Sequence, residues 1–341
     1  MAYHRAVEAT ERRMVMAAIT YSCAMPPGPN CVEYAQLASD LGYDRIWLYD
    51  SAALYQDVWV WLARIADRTD IKIGTAVAVP NLRHVMTTAS AIATLEHLAP
   101  GRLSCGFGTG ATARYVLGKP GLSWAATRRY LEQLRALLAG DVVEIDGAMT
   151  QMIHYEGWAP KRPIEVPLIL SALGPKGVQI ARDVADGLMF MNGPVSGFDT
   201  AIQMTSGTVR DDGEDLQSSR VLEAIGPWSA VMYHGAWQMN PDAVKNLPNG
   251  SAWLETIEAM RPEGERHLAA HEGHVTELTD RDLVALTANP LLGAMGWVGT
   301  RDQIRERAET AVAGGATEIM YTPAGPDVAR ELRVWADALR S

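Results

Sequence analysis

Short apolar runs alternate with amphipathic segments along most of the chain, and this alternation predicts its architecture. A largely apolar run at residues 14–19 is followed by the turn-forming stretch Met-Pro-Pro-Gly-Pro-Asn (25–30) and by helical spacing over 31–41, which Gly42 closes. Runs at 45–49, 71–77 and 103–107 read as the second, third and fourth strands, and 56–68, 85–98 and 124–138 as the helices after them. The stretch 166–191 is the most legible unit. An apolar run (166–170) meets Gly174-Pro175-Lys176-Gly177, then an amphipathic segment (178–184), then a second run (188–191), which is strand, turn, crossover helix and parallel strand. Residues 141–155 break the alternation with two short runs around Asp146-Gly147, a hairpin signal. The seventh strand is expected within 221–233 and the eighth at 318–321, with helices at 302–313 and 327–339. Residues 235–292 are too many for one crossover, so extra helices able to form a lid are expected there. Eight strands alternating with helices predict an α/β protein, a single (β/α)8 TIM barrel over residues 1–341 with a hairpin insertion after helix four and extra helices between strands seven and eight.

Composition narrows the function more than the fold. A chain of 341 residues suits two ordinary domains or one barrel, and the alternation favours the barrel. A hydrophobic share of 48% with 21% charged residues suits a soluble protein with a large core. The net charge of −10 disfavours nucleic acid and anionic membranes as partners, because both need a basic face. Cys23, Cys31 and Cys105 have no paired spacing and fit reduced thiols. With no apolar core near the N-terminus and no run of membrane-spanning length, a cytoplasmic location is expected.

In a parallel barrel the active face lies past the C-terminal strand ends. The chain places there Asp50 and Ser51, Ala76 and Val77, Gly108, Thr109 and Gly110, then Ala172, Leu173, Gly174, Pro175, Lys176 and Gly177. Met191, Asn192, Tyr233, His234, Tyr321 and Thr322 follow the later strands. Polar uncharged residues dominate and no carboxylate pair suits glycoside hydrolysis, so a flat, largely apolar ligand with few polar anchors is expected. Open amide groups and the helix dipole at 172–177 would attract a phosphate, with Lys176 as a point charge; a close-packed turn with an exposed lysine fits the same residues. His271 and His274, in His-Glu-Gly-His, lack the zinc-peptidase spacing, and no metal is expected. They remain candidates for catalysis with Asp50 and Ser51. His84 suits either a structural role in the loop after strand three or a ligand-facing one.

Six stretches carry a resemblance spanning nearly the whole chain: IWLYD (46–50), GTAVAVPNLRH (74–84), AIATLEHLAPGR (91–102), GFGTG (106–110), SALGPKG (171–177) and Ala185-Asp186-Gly187. Their order and spacing resemble the bacterial luciferase-like monooxygenase superfamily, in particular its deazaflavin-dependent branch related to methylenetetrahydromethanopterin reductase. The resemblance implies a non-proline cis peptide at Ala76–Val77 backing the cofactor ring, and a cofactor phosphate near 172–177. It implies hydride transfer between the deazaflavin coenzyme F420 and an apolar organic small molecule, in a homodimer. The alternatives are an FMN-dependent monooxygenase supplied by a separate reductase, a non-catalytic flavin-binding protein, and a cofactor-free lyase or hydrolase. In the related sugar-phosphate dehydrogenases an acidic residue and a histidine stand where this chain has Ala111 and Ser51, so sugar-phosphate oxidation is not expected.

Overall fold

The computed structural model describes residues 20–340. Within them, chain order runs β1 (Thr20–Met25), α1 (Cys31–Asp40), β2 (Arg45–Leu48), α2 (Val58–Arg68), β3 (Lys72–Ala78), α3 (Val85–Leu98), β4 (Leu103–Phe107), the short α4 (Ala111–Tyr115) and α5 (Trp124–Ala139). After a two-stranded hairpin (Val143–Ile145 with Ala148–Thr150) come β5 (Leu168–Ser171), α6 (Pro175–Val184), β6 (Gly187–Phe190) and β7 (Ala201–Val209). A helical insertion follows: α7 (Ser219–Met239), α8 (Gly250–Met260), α9 (Arg266–His271) and α10 (Asp280–Leu286). A short strand (Trp297–Gly299), α11 (Arg301–Ala313), β8 (Glu318–Thr322) and α12 (Val328–Arg340) complete the described chain. The eight numbered strands pair in parallel from β1 through β7, and β8 joins β7 to β1, which closes the expected (β/α)8 barrel.

The barrel interior is filled by inward-pointing Ala24, Trp47, Ile169, Met189, Ile202 and Met320. At its N-terminal end Ser22 Oγ donates to Glu318 Oε1 at 2.5 Å, and the Trp47 indole N–H reaches both groups at 3.0 Å. The Trp47 ring crosses β3 where a Cβ on Gly74 would lie 2.4 Å away, so glycine there admits the ring. A larger apolar layer lies between the strands and the outer helices. The insertion has a separate core built around Tyr233, Trp253, Ile257 and Leu286.

Two expectations about strands change. The run at 14–19 lies outside the described residues, and β1 occupies Thr20–Met25. The seventh strand is not in 221–233; those residues belong to α7, and β7 is Ala201–Val209. Helix α7 is apolar on two sides because one packs into the insertion core while Trp228 and Val231 face a cleft, and it carries Pro227 inside. Continuous apolarity therefore mimicked a buried strand, and the internal proline disguised the helix. The hairpin occurs where expected, and its turn places Asp146 at φ 51° and Gly147 at φ 83°, the two positive values that a tight twisted hairpin requires.

Candidate active site

The site begins with the end of β3. Its register with β4 shifts between Thr75 and Ala78, and the Ala76–Val77 peptide within that shift is cis. The bulge turns Ala76 and Val77 into a cleft of about 420 Å³ at the C-terminal face of the barrel. Opposite stands the glycine-rich turn after β4. A Cβ on Gly108 would come within 2.8 Å of the Val77 side chain, and one on Gly110, where φ is +72°, within 2.3 Å of Val79. The two turns thus approach as closely as glycine allows.

The third wall is the end of β5. Leu173 and Gly174 line the cleft, and Gly174 is the N-cap of α6 with Pro175 at the first helical position. No side chain caps this helix, so its first-turn amide groups carry no side-chain partner. A Cβ on Gly174 would meet nothing within 4 Å, so this wall leaves open space where the others are tight. Ala172 is buried beside a neighbouring hollow, and Pro175, Lys176 and Gly177 stand outside the cleft lining; Gly177 is covered by the Trp124 ring.

Asp50 and Ser51 also line the cleft, but Asp50 is committed. Its carboxylate accepts from Arg83 at 2.6 Å, and Arg83 also holds Asp57 at 2.7 Å. Burial raises the Asp50 pKa even against the pull of Arg83. His84 caps α3, its Nδ1 accepting from the amide of Met86 at 3.2 Å, which is the structural role considered for it.

The remaining wall comes from the insertion, through Trp228, Val231, His274 and Val275. Behind it runs a chain of polar groups. Asp282 Oδ1 lies 3.1 Å from His234 Nε2, His234 Nδ1 lies 2.7 Å from His274 Nδ1, and His274 Nε2 lies 3.0 Å from Thr112 Oγ1 at the cleft. Asp282 also accepts from Trp253 at 2.9 Å and pairs with Arg281 at 3.1 Å. Though burial opposes it, these partners hold the Asp282 carboxylate well below the usual range. Burial, then the neighbouring His234, lowers the His274 pKa well below that of a free imidazole. His271 does not line the cleft; it stacks on Tyr115 at 5.9 Å and its Nδ1 is buried without a partner among the described residues. Burial pushes its pKa down to about 3.

The three imidazoles cluster with nitrogens within 4.8 Å of one another, as a metal site would need. The 2.7 Å separation of His234 and His274 is nevertheless a hydrogen-bond distance, since two nitrogens on a tetrahedral zinc stand roughly 3.3 Å apart. Sequence reasoning did not single out Thr112, Trp228 or Asp282. Only the folded insertion brings these residues to the cleft or behind it, and their spacing along the chain carries no motif.

The luciferase-like monooxygenase family model matches residues 13–318. The chain is 27% identical over 317 residues to a 5,10-methylenetetrahydromethanopterin reductase of Methanolobus tindarius, covering 88% of this chain and 92% of that one. It is 32% identical over 177 residues to an F420-dependent glucose-6-phosphate dehydrogenase of Beutenbergia cavernae, 47% of this chain and 52% of that one. The fold resembles the solved coenzyme F420 dependent tetrahydromethanopterin reductase from Methanopyrus kandleri, with a TM-score of 0.64 and 19% identity over 94% of this chain and 98% of that one.

Proposed function

This chain belongs to the luciferase-like monooxygenase family, and from that premise we propose that it is an oxidoreductase holding coenzyme F420 in the cleft and exchanging a hydride with an apolar organic molecule. The observation that carries this is the cleft wall made by the cis Ala76–Val77 bulge with Gly108 and Gly110 packed against it, a smooth, mostly apolar surface suited to a flat ring. The residues fit the group. Ala76 and Val77 would back the ring, Gly108, Thr109 and Gly110 would flank it, and Gly174 with the uncapped amides of α6 would take a phosphate. When bound, a deazaflavin supplies a ring carbon that gives or accepts hydride and reacts poorly with oxygen. The protein orients the reactants, excludes water with Trp228 and Val231, and moves the accompanying proton.

The names of the relatives support F420 over FMN. An apolar substrate is favoured because no lysine or arginine lines the cleft among the described residues, so a second phosphorylated ligand would lack a counter-charge. The family resemblance adds a homodimer to the proposal. Titration of the purified protein with F420 and, separately, with FMN tests it by ligand fluorescence. Saturable one-to-one binding of F420, tighter than FMN, is expected. Tighter FMN binding would replace the proposal with a monooxygenase, and binding of neither would abolish it.

A further inference from the structure

We propose that His274 is the acid–base group of this site, and that His234 and Asp282 form the relay that fixes which of its nitrogens is open to the cleft. The inference rests on the hydride-transfer proposal above. Hydride removal from the carbon of an alcohol or amine must be matched by loss of a proton from its oxygen or nitrogen. The positions of Ser51 and Ala111 carry no titratable side chain. Among the described residues that line the cleft, the titratable groups are Tyr49, Asp50, Tyr55 and His274. Tyr49 donates to Ala24 O at 3.1 Å, Tyr55 donates to His274 O at 2.7 Å, and Asp50 is paired with Arg83. His274 alone among these four has a nitrogen aimed at a cleft hydroxyl rather than at a structural partner.

The hydrogen-bond directions follow from the ends of the chain. An ionised Asp282 can only accept, so His234 donates through Nε2–H, and in the uncharged resting form of the relay it presents a lone pair at Nδ1. His274 must then donate through Nδ1–H, which leaves its Nε2 unprotonated and facing the Thr112 hydroxyl. In the oxidation direction the substrate O–H or N–H bond breaks, its proton goes to His274 Nε2, directly or across Thr112 Oγ1, and the hydride leaves with both electrons to the coenzyme. The Nδ1 proton of His274 can then pass to His234, where the positive charge rests beside Asp282. Reduction runs the same transfers backwards. The groups facing the His274 ring are Thr112 from α4, His234 from α7, His271 from α9 and the Arg281–Asp282 pair from α10. Asp282 thereby acts as a positioning residue, as does His234.

Nitrogen-15 NMR of histidine-labelled, cofactor-free protein reads the relay without any substrate. His274 is expected as the Nδ1–H tautomer with an unprotonated Nε2, and His234→Asn is expected to shift that equilibrium. In parallel, a panel of apolar secondary alcohols, ketones and imines is assayed in both directions for F420 absorbance change. His274→Gln should lower turnover at least about a hundredfold, the scale of a lost acid–base group, while F420 affinity stays unchanged. His234→Asn should move the acid limb of the kcat profile rather than KM alone. An Nε2–H tautomer for His274, turnover by His274→Gln within tenfold of the parent, or one equivalent of tightly held zinc would each overturn the relay. Binding of F420 together with full activity of His274→Gln would remove the relay and leave the proposed function standing. Failure to bind either cofactor would remove the function while the tautomer measurement still decides the relay.

Discussion

Acid should loosen this protein through one histidine whose contribution can be calculated. His271 is 1% exposed and its pKa falls from 6.5 to about 3. Its folded value is depressed, so its contribution is fully present above pH 6.5 and is lost as the pH falls towards 3, because the unfolded chain binds a proton that the folded one refuses. Between pH 7 and pH 5 the unfolded imidazole goes from about a quarter to nearly fully protonated, while the folded one stays neutral. The linkage integral gives a loss of about 2 kcal/mol over that interval. Replacing the ring with phenylalanine isolates this term. His271→Phe keeps the stack on Tyr115, removes the unpartnered Nδ1 and gives up only a 3.4 Å contact with Gln238. The variant should match or exceed the parent in stability at pH 7. Urea denaturation of both proteins at pH 7 and pH 5 is the assay. The parent should lose about 2 kcal/mol more than the variant, since titrating groups away from His271 cancel in the difference. Equal losses would mean that His271 is protonated in the folded protein, and the burial argument would fail.

Three substitutions probe the cleft walls. Gly174→Leu meets no atom near its Cβ and sits at an ordinary extended φ of −145°, so unfolding of the cofactor-free protein should be unchanged while F420 affinity drops at least about tenfold, a 1.4 kcal/mol effect read by fluorescence. Gly110→Ala combines a left-handed φ of +72° with a contact 2.3 Å from Val79; a loss of at least about 1–2 kcal/mol in urea is expected. Asp50→Asn leaves Arg83 with Asp57 alone, and thermal unfolding should reveal a loss of up to about 3 kcal/mol, below that of an entirely unpaired buried charge.

The barrel was legible wherever each strand faced apolar layers on both sides and each helix announced its start. The unit from β5 to β6, with Gly174-Pro175 opening its helix, is of that kind, and the 85–98 helix was read from its apolar spacing. Strand β7 was not, for two physical reasons. It carries Gln203, Thr205, Ser206 and Thr208, buried polar side chains that break an apolar run: Gln203 donates to Met191 O, Thr205 Oγ1 to the neighbouring Ser206 O, and Thr208 Oγ1 to Glu331, a partner far along the chain. Residues 191–200 before it also form no helix, so the alternation that located the other strands lapses there. The glycine-rich turns of the cleft could be placed from their position after strands. The histidine relay could not, because His234, His274 and Asp282 meet only when α7, the turn after α9, and α10 fold against one another.

The insertion between β7 and β8 packs around its own core, apart from the layer that holds the barrel. That division makes it an exchangeable cassette. Sequence changes within α7 to α10 that spare Trp228, Val231 and Val275, which pack in one cluster with Ala76 and Val77, can reshape the substrate-facing wall or swap the proton-handling groups while leaving the bulge in place. Descendants of one ancestor could thus diverge in the molecules they accept while the slot for the ring stays constant, and a chimaera carrying another insertion on this barrel is a direct way to transfer substrate preference.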